Sequence, residues 1–168
     1  MYTHYMNTDH WSRQDEIGWE KALPIVRKIL KKYENVIQRE LDDNRKPLCT
    51  KKKIFFNGIG EDGHETFVLF NQEKQNDFSP NKSFAFCKTA RKPYDVVVCE
   101  VLLVLNAFCP HLAISSDGFS GCMEDPVLDG TWCEAIQNVG QYGIKYHQEV
   151  TNEREPYCDM EPVLDSVS

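Results

Sequence analysis

Apolar residues recur at three- and four-residue steps from Trp19 onward. Trp19, Leu23, Val26, Leu30, Tyr33 and Ile37 fall on one side of a helical projection, and Lys21, Arg27, Lys28, Lys31 and Lys32 fall mostly on the others. This spacing predicts an amphipathic helix through WEKALPIVRKILKKYENVIQREL, preceded by a capping-box pattern at Ser12 and Asp15. Asp42-Asp43-Asn44 and Pro47 end it, and Pro24 either marks its true start or kinks it.

The pattern then changes period. Ile54-Phe55-Phe56 and Thr66–Phe70 flank the turn sequence NGIGEDGHE and predict a hairpin, with Gly58, Gly60 and Gly63 available for positive-φ positions. Residues 71–83 are polar, contain Pro80 and predict a loop, and Phe84–Cys87 predicts a third strand. The nearly continuous apolar run Val96–Phe108 predicts a buried helix, with Pro93 and Asp95 at its start and Pro110 as its stop. Leu112–Ser115 reads as a strand and Asp117–Glu124 as a loop. A last helix is expected from Asp125-Pro126, with Leu128, Trp132, Ile136 and Val139 inside and Gly140 as its end. Ile144–Val150 suggests a short strand, and the acidic tail 151–168 is expected to be disordered. The order favours an α+β fold, a small and mainly antiparallel sheet with helices packed on one face, in a single domain spanning residues 1–150.

Length and composition agree with this. A chain of 168 residues with 41% hydrophobic and 27% charged residues can bury a core. The apolar run is interrupted by Glu100 and Asn106 and is too short for a membrane span, which needs about 20 residues. Residues 1–11 have neither the basic nor the apolar region of a secretory signal, so a cytoplasmic address is expected. The seven cysteines are odd in number and none forms C-x-x-C, so reduced thiols are expected and no metal ligand spacing is evident. Net charge is −7, but residues 20–53 hold eleven Lys/Arg against five Asp/Glu, and residues 100–168 hold two against twelve. The acidic balance argues against nucleic-acid binding, although the basic helix face is its one candidate. On charge alone the acidic half can also imitate nucleic acid towards a protein partner, and the plainer explanation of both halves is that they are solvated faces.

Three segments carry candidate chemistry. CKTARK at 87–92 precedes the buried helix, where Lys88, Arg91 and Lys92 can cradle a small anion or nucleotide. The plainer explanation pairs these cations with Asp95, Glu65 or the acidic half of the chain. Glu61, Asp62, His64 and Glu65 gather at the hairpin, where His64 can act as a base or pair with the Cys87 thiol. Turn formation alone also accounts for them. Ser115-Ser116-Asp117-Gly118 follows a strand, and Asp117 can join a ligand site at the sheet end. No complete catalytic constellation is legible, so no catalytic residue, metal ligand or cofactor is assigned and an enzymatic role stays open.

The blocks FFNGIGEDGHETF at 55–67, FCKTARKPYDVVV at 86–98 and ISSDG at 114–118 resemble small uncharacterised proteins of tailed bacteriophages. ALPIV at 22–26 resembles the first helix of that group, and the likeness spans roughly residues 15–140. In that group acidic residues and a Trp follow SSDG closely, whereas here Phe119–Met123 intervenes before Glu124. The resemblance implies a phage gene product acting in a bacterial cytoplasm, and it implies no activity. The leading expectation is a non-enzymatic accessory protein that binds a host or phage protein. The alternative is a small-anion or nucleotide-binding domain, with or without catalysis, built on Lys88, Arg91, Lys92, His64 and Asp117. Oligomeric state is not readable from the sequence.

Overall fold

The apolar segment after Pro93 is a helix buried among other elements of the chain. Residues 2–71, 84–122 and 125–145 are described by the structure, a computed structural model. The elements run β1 (Thr3–Asn7), α1 (Arg13–Lys32), β2 (Ile37–Gln38), β3 (Leu48–Cys49), β4 (Lys53–Gly58), β5 (Phe67–Phe70) and β6 (Phe84–Lys88). They continue with α2 (Asp95–Phe108), β7 (Ala113–Ser116), β8 (Phe119–Cys122), β9 (Asp125–Leu128) and α3 (Gly130–Val139). Thirteen of the fourteen residues of α2 are buried, so it needs partners around its circumference. It packs against α1 and α3 and contacts β7, and one apolar cluster runs from Met6 to Ile144.

The fold is α+β, and among the described residues every strand pair is antiparallel. Two main sheets and a hairpin take the place of the one sheet expected. Sheet A has the order β6-β1-β7. In a second sheet, β4 pairs with β2, β3 and β5. The hairpin is β8-β9. No described helix is long and apolar enough to cross a membrane.

Several boundaries differ from expectation. The first helix begins at Arg13, which places Pro24 inside it. Pro24 and Glu20, whose carbonyl loses its helical donor, are both exposed, so water can serve that carbonyl. The helix ends at Lys32, nine residues before Leu41, because Tyr33 leaves helical geometry and the Val36 N–H turns back to the Tyr33 carbonyl at 2.8 Å. Ile37 keeps the helical spacing but is buried in β2 opposite Gly58. Of the hairpin glycines, only Gly60 has positive φ, while a Cβ at Gly58 would lie 2.3 Å from the Asp62 carbonyl oxygen. The last helix starts at Gly130 because residues 125–128 form a strand, and the Asp129 carboxylate accepts the Trp132 N–H at 3.1 Å as its cap. Ile144 and Lys145 are in no strand, and the rest of that expected strand and the tail 151–168 lie outside the described residues.

The largest departure is β1. Residues 1–11 carry no apolar alternation, yet Thr3–Asn7 is the central strand of sheet A. Its core-facing side chains are His4 and Met6, so half of the inward positions are polar.

Two stability predictions come from this packing. Gly18 in α1 lies against the end of α2, and a Cβ there would sit 2.0 Å from the Phe108 carbonyl oxygen. Gly→Ala inside a helix ordinarily stabilises by about 1 kcal/mol. Here Gly18→Ala should instead destabilise by about 1–3 kcal/mol in urea unfolding, and a stabilised variant would refute the close approach. Glu100 is buried within α2, accepts the Tyr33 hydroxyl and lies 3.9 Å from Lys32 Nζ. Burial pushes its carboxyl above the usual range. The folded chain therefore holds this proton more tightly than the unfolded chain, a contribution that is full at acid pH and lost as pH rises through the folded value. Glu100→Gln should gain about 1 kcal/mol or more at pH 8 and match the parent near pH 4, and a gain equal at both pH values would contradict the assignment.

Candidate functional site

Register and helical spacing build a buried polar cluster under one end of sheet A. Antiparallel pairing sets His4 between Cys87 of β6 and Ser116 of β7, with its ring on the core side. Asp95 opens α2, and Cys99 stands one turn later on the same face. His4 Nε2 lies 2.5 Å from Asp95 Oδ1 and 3.8 Å from Cys99 Sγ, and His4 Nδ1 lies 2.8 Å from Ser116 Oγ. Thr89 donates its hydroxyl to Asp95 Oδ1 at 2.6 Å. Tyr2 and Trp132 meet the imidazole edge-on, with centroids at 5.2 and 5.3 Å. His4, Asp95 and Cys99 are all buried, and Asp95 Oδ2 has no hydrogen-bond partner.

Donor counting assigns the protons. Ser116 Oγ accepts the Trp132 indole N–H and the Gly118 N–H, both at 3.0 Å. Both its lone pairs are then used, so its hydroxyl donates to His4 Nδ1 and His4 Nε2–H donates to Asp95. The string Ser116–His4–Asp95 has the order of a nucleophile, a base and an orienting carboxylate. Its serine oxygen has no lone pair left for attack and the residue is only 7% exposed. Cys99 is no better as a nucleophile, because burial and then Asp95 push its thiol well above the ordinary value.

The rim of the cluster is the cationic turn. Lys92 N–H donates to the Thr89 carbonyl at 3.0 Å across Ala90 and Arg91, which have φ of 51° and 56°. Such left-handed residues cost of order 1 kcal/mol each without glycine, so neighbouring contacts must hold them. The Tyr2 carbonyl accepts N–H groups from Thr89 and Ala90 at 3.1 and 3.4 Å. The Arg91 guanidinium lies 4.0 Å from the Tyr2 ring centroid and donates to Asp129 at 3.1 Å. Tyr2 donates its hydroxyl to the same Asp129 carboxylate oxygen.

The residues singled out in the sequence surround the start of β1 without meeting at one point. Lys92 Nζ donates to the Glu61 carbonyl at 2.9 Å, and Arg91 turns instead to Asp129. Lys88 N–H donates to Glu65 at 2.8 Å, and His64 Nδ1–H donates to the Lys88 carbonyl at 2.8 Å. Asp117 accepts the Thr3 N–H at 2.9 Å. The Cys87–His64 pair does not form, because Cys87 donates to the Glu65 carbonyl at 3.5 Å and burial pushes its thiol up to about 12. Arg91 and Lys92 thus already have acceptors within the chain.

Sequence reasoning missed His4, Cys99, Asp129 and Trp132 as members of this cluster. His4 lies 91 residues from Asp95 and 95 from Cys99, so no short motif joins them. The segment after SSDG is the hairpin β8-β9. Asp129 N–H donates to the Gly118 carbonyl at 3.0 Å and closes the excursion, returning Asp129 and Trp132 to the SSDG turn. Gly118 is required there, since a Cβ would lie 2.2 Å from the Tyr2 hydroxyl and 2.7 Å from Trp132 Cδ1.

The other face of sheet A is aromatic. Phe84 and Phe86 are each 49% exposed on β6, with Tyr5 stacked on Phe84 at 6.2 Å and Phe84 beside Phe86 at 6.3 Å. Lys88 Nζ extends the row, 5.6 Å from the Phe86 ring centroid. No family model, curated protein or solved structure matches this chain.

Asp129 joins three elements, so its loss should exceed that of a single cap. Asp129→Ala is expected to destabilise by about 2 kcal/mol or more, against less than about 1 kcal/mol for Arg91→Ala, by chemical unfolding. Equal effects would show that the Trp132 cap and the Tyr2 contact contribute little.

Proposed function

We propose that the chain is a phage accessory protein that acts by binding a host or phage protein and does not catalyse a reaction. The observation that carries this reading is the solvent-facing row of Tyr5, Phe84 and Phe86. Contiguous exposed aromatics are uncommon on a surface with no partner, and aromatic side chains supply much of the energy at protein interfaces. Lys88 at the end of the row suits a partner with an apolar centre and an acidic rim. The inert settings of Ser116, Cys87 and Cys99 support a role without nucleophilic chemistry. The phage-like sequence blocks support the origin and a bacterial cytoplasm as the place of action.

Phe84→Ser/Phe86→Ser tests this directly. Immobilised parent should retain a defined protein from infected or uninfected host lysate. The double variant should retain at least tenfold less while melting within a few degrees of the parent. Undiminished retention by the variant, no specific retention by the parent, or turnover of a substrate by the purified chain would each overturn the proposal.

A further inference from the structure

We propose that His4, Asp95 and Cys99 bind a transition-metal ion of the zinc class. Among the described residues these three bring an imidazole nitrogen, a carboxylate oxygen and a thiol sulfur within 4.8 Å of one another. A mixed nitrogen, oxygen and sulfur set suits zinc and excludes the all-oxygen preference of magnesium and calcium. The 3.8 Å between His4 Nε2 and Cys99 Sγ is close to the ~3.5 Å expected for two tetrahedral zinc ligands at ordinary bond lengths. An ion bound to His4 Nε2 and Asp95 Oδ1 would open their 2.5 Å separation by roughly 0.8 Å.

A second observation points to a ligand independently of the spacing. Asp95 Oδ2 is buried without a hydrogen-bond partner, although its sister oxygen accepts from both His4 and Thr89. A buried carboxylate oxygen left so is costly unless something occupies it. The surroundings also have the form of a metal site's outer shell. Ser116 orients the far nitrogen of His4, and Thr89 orients Asp95. A dication with one carboxylate and one thiolate is electrically neutral, as a fully buried site requires. Three protein ligands leave one position for water.

The proton balance follows from the hydrogen bonds. Binding removes the Cys99 thiol proton to solvent and exchanges the His4 proton from Nε2 to Nδ1. The Nδ1–H then donates to Ser116 Oγ, whose hydroxyl hydrogen rotates away and which releases one of its two present donors, the Gly118 N–H or the Trp132 indole N–H, to free a lone pair. One proton is released per ion. Tyr2 covers the imidazole and is held by Asp129, so entry requires that contact to open.

The test uses the full chain stripped with a chelator and then titrated with zinc or cobalt(II) alone. Expected results are uptake of one equivalent, a melting temperature raised by several degrees, and a sulfur-to-cobalt charge-transfer band. Cys99→Ala should abolish the band and weaken binding at least a hundredfold, while Cys133→Ala, at an exposed cysteine whose thiol donates to the Leu128 carbonyl, should leave both unchanged. Nitrogen-15 spectra should show His4 passing from the Nε2–H to the Nδ1–H form on zinc addition, a readout that decides the matter if Cys99→Ala does not fold. No stoichiometric uptake, a band that survives Cys99→Ala, loss of the band in Cys133→Ala, or an unchanged His4 tautomer would overturn the proposal.

Discussion

The contact between His4 and Asp95 is the point on which the rest of the structure turns. An apolar helix such as α2 can pack on every side, and apolar packing alone does not fix which strand crosses its first turn. The buried imidazole and carboxylate supply that choice, because either group left alone in the core would cost several kcal/mol. They tie the central strand of sheet A to the start of α2 across 91 residues of chain. Fixing the five residues of β1 costs roughly 5–10 kcal/mol of backbone entropy. A charged hydrogen bond contributes about 1.5–3 kcal/mol, so the pair specifies the strand's place while the ladder and the burial of Met6 offset most of that cost.

Around this contact the chain arranges three layers of consequence. Ser116 bonds the far nitrogen of the His4 ring, Thr89 bonds one oxygen of Asp95, and Trp132 bonds the serine oxygen. Tyr2, Arg91 and Asp129 close the end of the sheet and hold two left-handed residues in place. On the opposite face, the alternation that turns His4 inward turns Tyr5 outward, beside Phe86 on β6. A one-residue slip of β1 would bury Tyr5 and expose His4, so the buried cluster and the aromatic row share one register.

Much of the fold was legible because local signals agreed with the final packing. The apolar run with Pro93, Asp95 and Pro110 at its borders gave α2 almost to the residue, and the glycine-rich reversal gave the β4–β5 hairpin. Signals failed where tertiary contacts took over. Ile37 continued a helical period by spacing alone, and β9 lay hidden where Asp125-Pro126 resembled a helix start. The strand β1 was invisible because an inward histidine breaks the apolar alternation that marks a strand. The candidate site was half legible for the same reason. Thr89, Arg91, Ser116 and Asp117 stood in recognisable blocks, while their buried partner His4 had no neighbour in sequence to announce it.

A double-mutant cycle on His4 and Asp95 measures directly whether the two side chains act as one unit in the fold. His4→Gln, Asp95→Asn and the combined variant would be unfolded in urea beside the parent in metal-free buffer. The expected coupling energy is at least about 1.5 kcal/mol, with each single variant nearly as destabilised as the pair. A coupling within about 0.3 kcal/mol of zero would mean that the two side chains act independently, and the pair would lose its place at the centre of the fold.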